Sequence, residues 1–429
     1  MRLINLLTAI ALLCMVSCSQ NEQTTQSKGK GVFPHKMPTE KPDFPLSAAM
    51  ERMFDNYPAP RAQDNEFYTT FKYTKLEGFD YRDGDGTVTR RDPSRPIFVN
   101  GKYYIWYTKR DTKYLPVGSK RAAEATDEIP STDWDLCDLW YATSDDGFTW
   151  AEQGLAVARP EKPKVGWRSI ATPDILVWKG KYYLYFQAFD EPSGLNGDWC
   201  EISVAYADSP DGPWTNTAKV AIPHGKKGEW DQDQLQDPHP IVYKDKIYLY
   251  YKAAYNKWAD DRDRYAVAHG VAIADDPLGP FTKPELNPVL NTGHETTYFP
   301  YRDGVAALAI RDGNERETIQ YAPDGINFEV KSVVSLAPTA AGLFSPDNFS
   351  NSGDARGATW GMCHFINAVG KGGKRHSILA RFDCDLSRDY DNKLFKATTV
   401  AFTPDVYFEQ HGLGGLKKKR VDEGAKYGR

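Results

Sequence analysis

The sequence predicts an all-β fold, a five-bladed β-propeller with an N-terminal helical extension, and three observations carry that prediction. A strand-like run that opens on an aspartate beside a proline and closes on a block of aromatics occurs three times. Asp92-Pro93 leads into residues 101–107, Pro173-Asp174 into 180–186, and Asp237-Pro238 into 245–251. Each is followed by a shorter run ending on a turn and an aromatic, at 144–150, 209–214 and 275–281. Two looser copies, 299–312 with 318–328 and 345–365 with 376–386, bring the count to five. A strand group recurring at this length is the signature of propeller blades, which bring the starts of their inner strands around one central cavity. A β-sandwich built of similar hairpins is the alternative. Short Val- and Ile-bearing runs bounded by Gly, Pro and Asp, such as 202–207 and 269–274, favour strands over helices throughout.

Taken in order, residues 1–18 read as a lipoprotein-type signal peptide. Arg2 supplies the positive start, and the apolar stretch 3–16 is too short for a stable membrane anchor. Met15-Val16-Ser17-Cys18 resembles a lipobox in which Cys18 becomes the acylated first residue; ordinary secretion with cleavage nearby is the alternative. The expected location is therefore exported, periplasmic or anchored at the outer membrane. Residues 19–33 form a polar, flexible tether. Residues 34–65 form the helical extension, with a helix over 45–57 that Ser47 can N-cap and whose stripe is Leu46, Met50, Met53, Phe54 and Tyr57. Such a helix must dock on its own propeller or on a neighbouring chain. Residues 66–410 form the catalytic propeller, and 411–429 a tail whose basic run 417–420 is solvated.

Composition excludes several classes of partner. A net charge of −5 gives no electrostatic case for nucleic acid, and aromatics at 13% suit both aromatic-packed blades and a carbohydrate-binding surface. Beyond Cys14 and Cys18 there are four cysteines, Cys137, Cys200, Cys363 and Cys384, none in Cys-x-x-Cys spacing, so no zinc site is expected. Export permits a disulfide, for which Cys363 with Cys384 is the pair to test; isolated buried thiols are the alternative.

Carboxylates at the blade starts should converge, and sugar-cleaving propellers need a base or nucleophile on one side of the scissile bond and a proton donor on the other. Asp92, following Arg90 and Arg91, is the first choice for the base, because a nearby guanidinium keeps a carboxylate ionised. Asp237 stands at the matching place in the third blade and would orient and tune the donor. Asp174 reads as structural or substrate-contacting. His294 and Glu295 are adjacent candidates for the general acid, and on a regular strand only one of them can aim at the cavity without a local bulge.

These residues resemble glycoside hydrolase family 117, the α-1,3-L-neoagarooligosaccharide hydrolases. The resemblance covers nearly the whole mature chain and includes an N-terminal Ser-x-Ala-x-x-Arg motif, met here as Ser47, Ala49 and Arg52. In that family the helix exchanges between subunits, which implies a domain-swapped homodimer. The resemblance further implies that Asp92 is the general base, Asp237 the second catalytic aspartate, His294 the acid and Glu295 a further important glutamate. It implies that Thr172 and Gln187 contact the anhydrosugar, with His239 as a wall of the same pocket. Some relatives hold a divalent cation in the central channel; no ligand spacing here asks for one, and no cofactor is required. The implied reaction is exo-cleavage at the non-reducing end of agar-derived oligosaccharides, releasing 3,6-anhydro-L-galactose with inversion. The loop 113–133 and the stretch 134–140 shape one rim and bear on the exact sugar. Two rivals remain: an arabinanase or β-xylosidase type of propeller glycosidase using Glu295 as donor, and a non-catalytic glycan-binding lipoprotein.

Overall fold

The computed structural model describes residues 31–54, 67–256, 265–313, 315–369 and 374–396. The expected signal segment with its expected acylation site Cys18, Tyr57 with the rest of 55–66, and the tail 411–429 lie outside the described residues. The fold is mostly β, arranged as antiparallel strand groups that follow one another along the chain.

The first group orders Val88–Arg91, Lys102–Asp111, Cys137–Ser144 and Ala151–Val157, and the second orders Ser169–Trp178, Lys181–Phe189, Glu201–Ala207 and Thr215–Asn216. The third holds Gln236–Tyr243, Lys246–Asn256 and Tyr265–Ala274, with isolated bridges from His269 to Leu290 and from Ile273 to Thr282 on its outer edge. Next come Thr297–Arg302, Gly304–Ala309, Thr318–Ala322 and Glu329–Val333, then Gly342–Phe344, Ala355–Val369 and Arg375–Ser387. These last two groups are joined into one sheet by a short pairing of Tyr301 and Arg302 with Arg356 and Ala355. The outermost strand of the final group comes from the other end of the chain: Lys72–Lys75 pairs with Arg375–Ser387 through Lys72↔Asp383 to Lys75↔Ala380. The sequence reading did not foresee that pairing.

The aromatic blocks of the sequence have a direct structural reason. Successive side chains of a strand point to opposite faces, so a strand between two neighbours must be apolar on both. Along Lys246–Asn256, Ile247, Leu249 and Tyr251 pack with Leu176, Tyr185 and Ile202 of the second group. The alternate residues Tyr248 and Tyr250 pack with Tyr298, Val305 and Ala307 of the fourth. Along Lys102–Asp111, Tyr104 and Trp106 meet Ile175 and Phe186 of the second group. Ile105 and Tyr107 meet Trp360, Met362 and Leu379 of the last. The last group therefore packs against the first, and each fully buried aromatic contributes on the order of 2–3 kcal/mol.

The shorter runs end in a repeated turn. Asp146 Oδ1 accepts from the N–H groups of Phe148 and Thr149 at 2.7 and 2.8 Å, and Asp324 Oδ1 accepts likewise from Ile326 and Asn327 at 2.9 and 2.7 Å. These aspartates close turns on the outside and are not chemistry.

The N-terminal helix starts later than the sequence suggested and is described over Ala48–Phe54, the expected positions 55–57 lying outside the described residues. Ser47 caps it, accepting the Met50 N–H at 3.4 Å while its hydroxyl donates to Pro288 O at 2.5 Å. Met50 and Met53 enter the core between the second and third groups. Arg52 is 5% exposed and forks onto Glu315 with two bonds of 2.9 Å, donating also to Phe328 O at 2.7 Å. In this single chain the helix docks on its own strands.

All four described cysteines are free and buried. Cys363 and Cys384 share one apolar cluster but are not bonded, so the suggested disulfide gives way to isolated thiols. Strand register explains this: Cys363 lies opposite Ala380, four residues from Cys384.

Candidate active site

A cavity of about 610 Å³ opens where the inner strands begin. Asp92, Asp237, His294, Glu295, Thr172 and Gln187 all line it, drawn from four strand groups. Asp174 and His239 do not. Asp174 lies beneath, 2% exposed, clamped by Arg95 Nη2 at 2.6 Å and by the Arg95 N–H at 2.9 Å, with His239 Nδ1 3.0 Å away. Burial works against its charge, but Arg95 prevails and holds its carboxyl down at about 2. His239 borders only the narrow floor under the cavity.

The floor shows why. It is lined by Asp92, Thr172, Asp237, Glu295 and Ala340, and each of the five has a left-handed backbone, with φ of 48°, 53°, 49°, 62° and 50°. Non-glycine residues adopt this conformation rarely, and in groups chiefly where function demands it. The repeat position is thus the residue before the proline: Asp92-Pro93, Thr172-Pro173, Asp237-Pro238. Reading Pro173-Asp174 as the matching pair shifts the register by two residues and buries Asp174 where Thr172 meets the cavity.

The same feature resolves the choice between His294 and Glu295. The strand Thr292–His294 stops there, Glu295 turns through φ 62°, and a new strand begins at Thr297. Gly293, at φ 97°, enters this turn where an added Cβ would lie 2.0 Å from Thr296 Oγ1, so only glycine fits. The kink lets both side chains face the cavity.

Electrostatics separate the acids. Asp92, 3% exposed, accepts from Arg91 Nε at 2.7 Å and Nη2 at 3.2 Å; burial opposes its charge, yet Arg91 holds it well below the usual carboxylate range. Arg91 in turn lies over the Trp134 ring at 4.7 Å. Asp237 sits 2.8 Å from Lys252 Nζ and accepts the Glu295 N–H at 3.2 Å; burial again opposes, Lys252 wins, and its carboxyl falls to about 2. Glu295 receives Arg311 Nη2 at 3.3 Å on Oε1, while its buried Oε2 has no partner among the described residues. His294 Nδ1 lies 2.8 Å from Asp312 Oδ2, leaving Nε2 as the ring atom that can carry a transferable proton. Gln187 donates weakly to Cys200 Sγ at 3.7 Å.

Lys252, Arg311, Asp312 and His364 escaped the sequence reading. Lys252 had a signal, a lone lysine inside an otherwise apolar strand run; the others had none. The loop over the cavity is firmly held, because buried Arg168 donates to Thr126 O at 2.7 Å and to both oxygens of Asp135. Leu115, Pro116, Ser131 and Asp133 of that loop line one wall, and Trp134 continues it.

Among the described residues, Asp92, Glu295 and His364 bring ligand-type atoms within 4.8 Å of one another. Two carboxylates and an imidazole suit a borderline divalent metal. Arg91 and Arg311 already supply positive charge to both carboxylates, so a cation would compete with them, and no step below depends on one.

Consecutive antiparallel strand groups with paired acids gathered at one mouth are those of a propeller-type glycoside hydrolase. Zg3597, a family 117 glycoside hydrolase produced by the marine bacterium Zobellia galactanivorans, is 69% identical, covers 81% of this chain and 99% of its own, and matches with a TM-score of 0.75. The chain belongs to glycoside hydrolase family 117. Two further solved structures share the fold alone. A complex of BT0996 with RGII is 14% identical over 77% of this chain and 94% of its own, with a TM-score of 0.50. A structure described as a glycoside hydrolase is 13% identical over 79% and 96%, also at 0.50. No protein-family model and no curated protein matched the sequence.

Proposed function

We propose that this hydrolase is exo-acting and cleaves the α-1,3 bond at the non-reducing end of neoagarooligosaccharides, releasing 3,6-anhydro-L-galactose with inversion. The observation that carries the proposal is the meeting of Asp92, Asp237 and His294 in one cavity of a family 117 chain. In this reading Asp92 takes a proton from water as its oxygen bonds to the anomeric carbon. His294 Nε2 gives a proton to the departing galactose oxygen as the glycosidic bond breaks. Asp237 orients the mouth of the site through the Glu295 N–H, and Thr172 and Gln187 meet the anhydrosugar.

Glu295 fits the acid role poorly. An inverting pair needs about 6.5–9.5 Å between its groups to admit the water, whereas carboxylate oxygens of Asp92 and Glu295 lie within 4.8 Å. That separation weighs against an arabinanase-type donor at Glu295. The strand groups are read as five blades closed by Lys72–Lys75, the helix Ala48–Phe54 as the element exchanged in a homodimer, and Cys18 as a lipid anchor after export.

The test is incubation of the pure mature protein with neoagarobiose, alongside arabinan, xylan and carrageenan oligomers. Released anhydrogalactose supports the reading; release from arabinan or xylan oligomers alone would replace it.

A further inference from the structure

The five left-handed residues of the floor need partners for their amides, because a buried N–H left unbonded costs free energy. Three of those partners are side chains of the preceding strand group. The Thr172 N–H donates to Thr108 Oγ1 of the first group at 2.7 Å. The Glu295 N–H donates to Asp237 Oδ2 of the third at 3.2 Å. The Asp92 N–H donates to His364 Nδ1 of the last at 2.9 Å, across 272 residues of sequence.

The acceptors follow from the register. Thr108, Gln187 and Lys252 stand at one matching position of the second strand, opposite Arg91, Ala171 and Gln236. His364 lies on the corresponding strand of the last group, two residues beyond Met362, which pairs with Gly342. A lysine has no lone pair to offer, which is why the carboxylate it binds serves Glu295 instead. A histidine can serve, provided Nδ1 carries no proton; the same Nδ1 lies 3.2 Å from Asp92 Oδ1, so His364 meets residue 92 at both its amide and its carboxylate. His364 is fully buried, and its Nε2 has no partner among the described residues. It is not among the residues that line the cavity.

We propose that His364 is a positioning residue for Asp92. By accepting the Asp92 N–H, it holds residue 92 in its left-handed conformation and thereby keeps the carboxylate on Arg91 and aimed into the cavity. The catalytic consequence rests on the reading of Asp92 as general base; the structural one does not. Thr108 does the same for Thr172, which marks the arrangement as a property of the fold and His364 as its version at the reacting group.

Crystal structures of His364→Leu and His364→Asn decide the structural claim without any substrate. Asn can place its side-chain oxygen near the site of Nδ1 and accept the same bond, whereas Leu cannot. The expected result is that His364→Leu moves residue 92 out of the left-handed region or its carboxylate off Arg91, and that His364→Asn keeps both. An Asp92 unmoved in the Leu variant overturns the proposal. Should the Leu variant not fold, Asn and Gln variants with short and long reach to the amide replace it, and equal geometry in both overturns the proposal.

Turnover of neoagarobiose then reads the consequence. For His364→Leu, kcat should fall about 10²-fold with KM within about twofold, since displacements near 1 Å cost this much; His364→Asn should recover most of it. Asp92→Asn run in parallel separates the two ideas. A fully active Asp92→Asn sinks the base assignment alone, while an inactive Asp92→Asn beside a fully active His364→Leu sinks the positioning role alone.

Discussion

Lys252 Nζ lies 2.8 Å from Asp237 Oδ2, and both side chains are almost wholly buried beneath the cavity mouth. The pair is a junction: the same carboxylate oxygen accepts the Glu295 N–H, so the lysine fixes the acid, and the acid fixes the kink that presents His294 and Glu295. Substituting Lys252→Met would leave an uncompensated buried carboxylate, which costs about 3–5 kcal/mol. Melting temperature should fall sharply at neutral pH, and the deficit should narrow in the double variant with Asp237→Asn. Equal melting of the single and double variants would show that the pair is not coupled.

Acid should unfold the protein late. Asp174 and Asp237 have folded pKa values near 2 against an ordinary 3.8. A depressed folded pKa gives stability that is complete above the unfolded value and is lost as pH falls through the folded one. Each shift corresponds to roughly 2 kcal/mol. Stability from these two groups is therefore expected to be level from pH 7 down to about 5 and to drop between about 4 and 2. Denaturant midpoints measured across that range check it, and a fall already complete at pH 5 would contradict it.

Asp92→Asn keeps the shape of the side chain and removes the proposed base. Neoagarobiose turnover should fall by about 10²–10⁴-fold, the usual contribution of a positioned proton acceptor. Binding of the disaccharide, measured by calorimetry, should persist. Wild-type turnover in a folded Asp92→Asn protein would remove Asp92 from the base role.

Much of this architecture was legible in the sequence, because a strand packed on both faces must alternate two apolar sets and so writes blocks such as 103–107 and 247–251. Asp92, Asp237, His294 and Glu295 were legible because a recurring start position marks convergence. Asp174 misled because proline has a carboxylate on its far side in that copy, and dipeptide composition cannot tell which neighbour is left-handed. His364 stayed hidden because it reaches the site across 272 residues of sequence, and Arg311 and Asp312 because the three-residue strand that sets them beside Thr292–His294 carries no periodic signal. The edge strand Lys72–Lys75 stayed hidden because four residues carry no periodic signal.

The helix Ala48–Phe54 offers the final test, since Arg52 and Glu315 bind through two bonds of 2.9 Å with Glu315 wholly buried. Arg52→Leu would remove the two bonds and the opposite charge that the helix brings to this buried carboxylate, at a cost of about 3–5 kcal/mol. Replacing both residues by leucine removes the buried carboxylate together with its cation and should restore most of the lost stability. If the helix is exchanged between subunits, Arg52→Leu should also shift the protein from dimer toward monomer in sedimentation, and the double variant should reverse the shift. A wild-type protein that sediments as a monomer, with the Arg52→Leu loss unchanged, would place the helix on its own chain and end the exchange proposal.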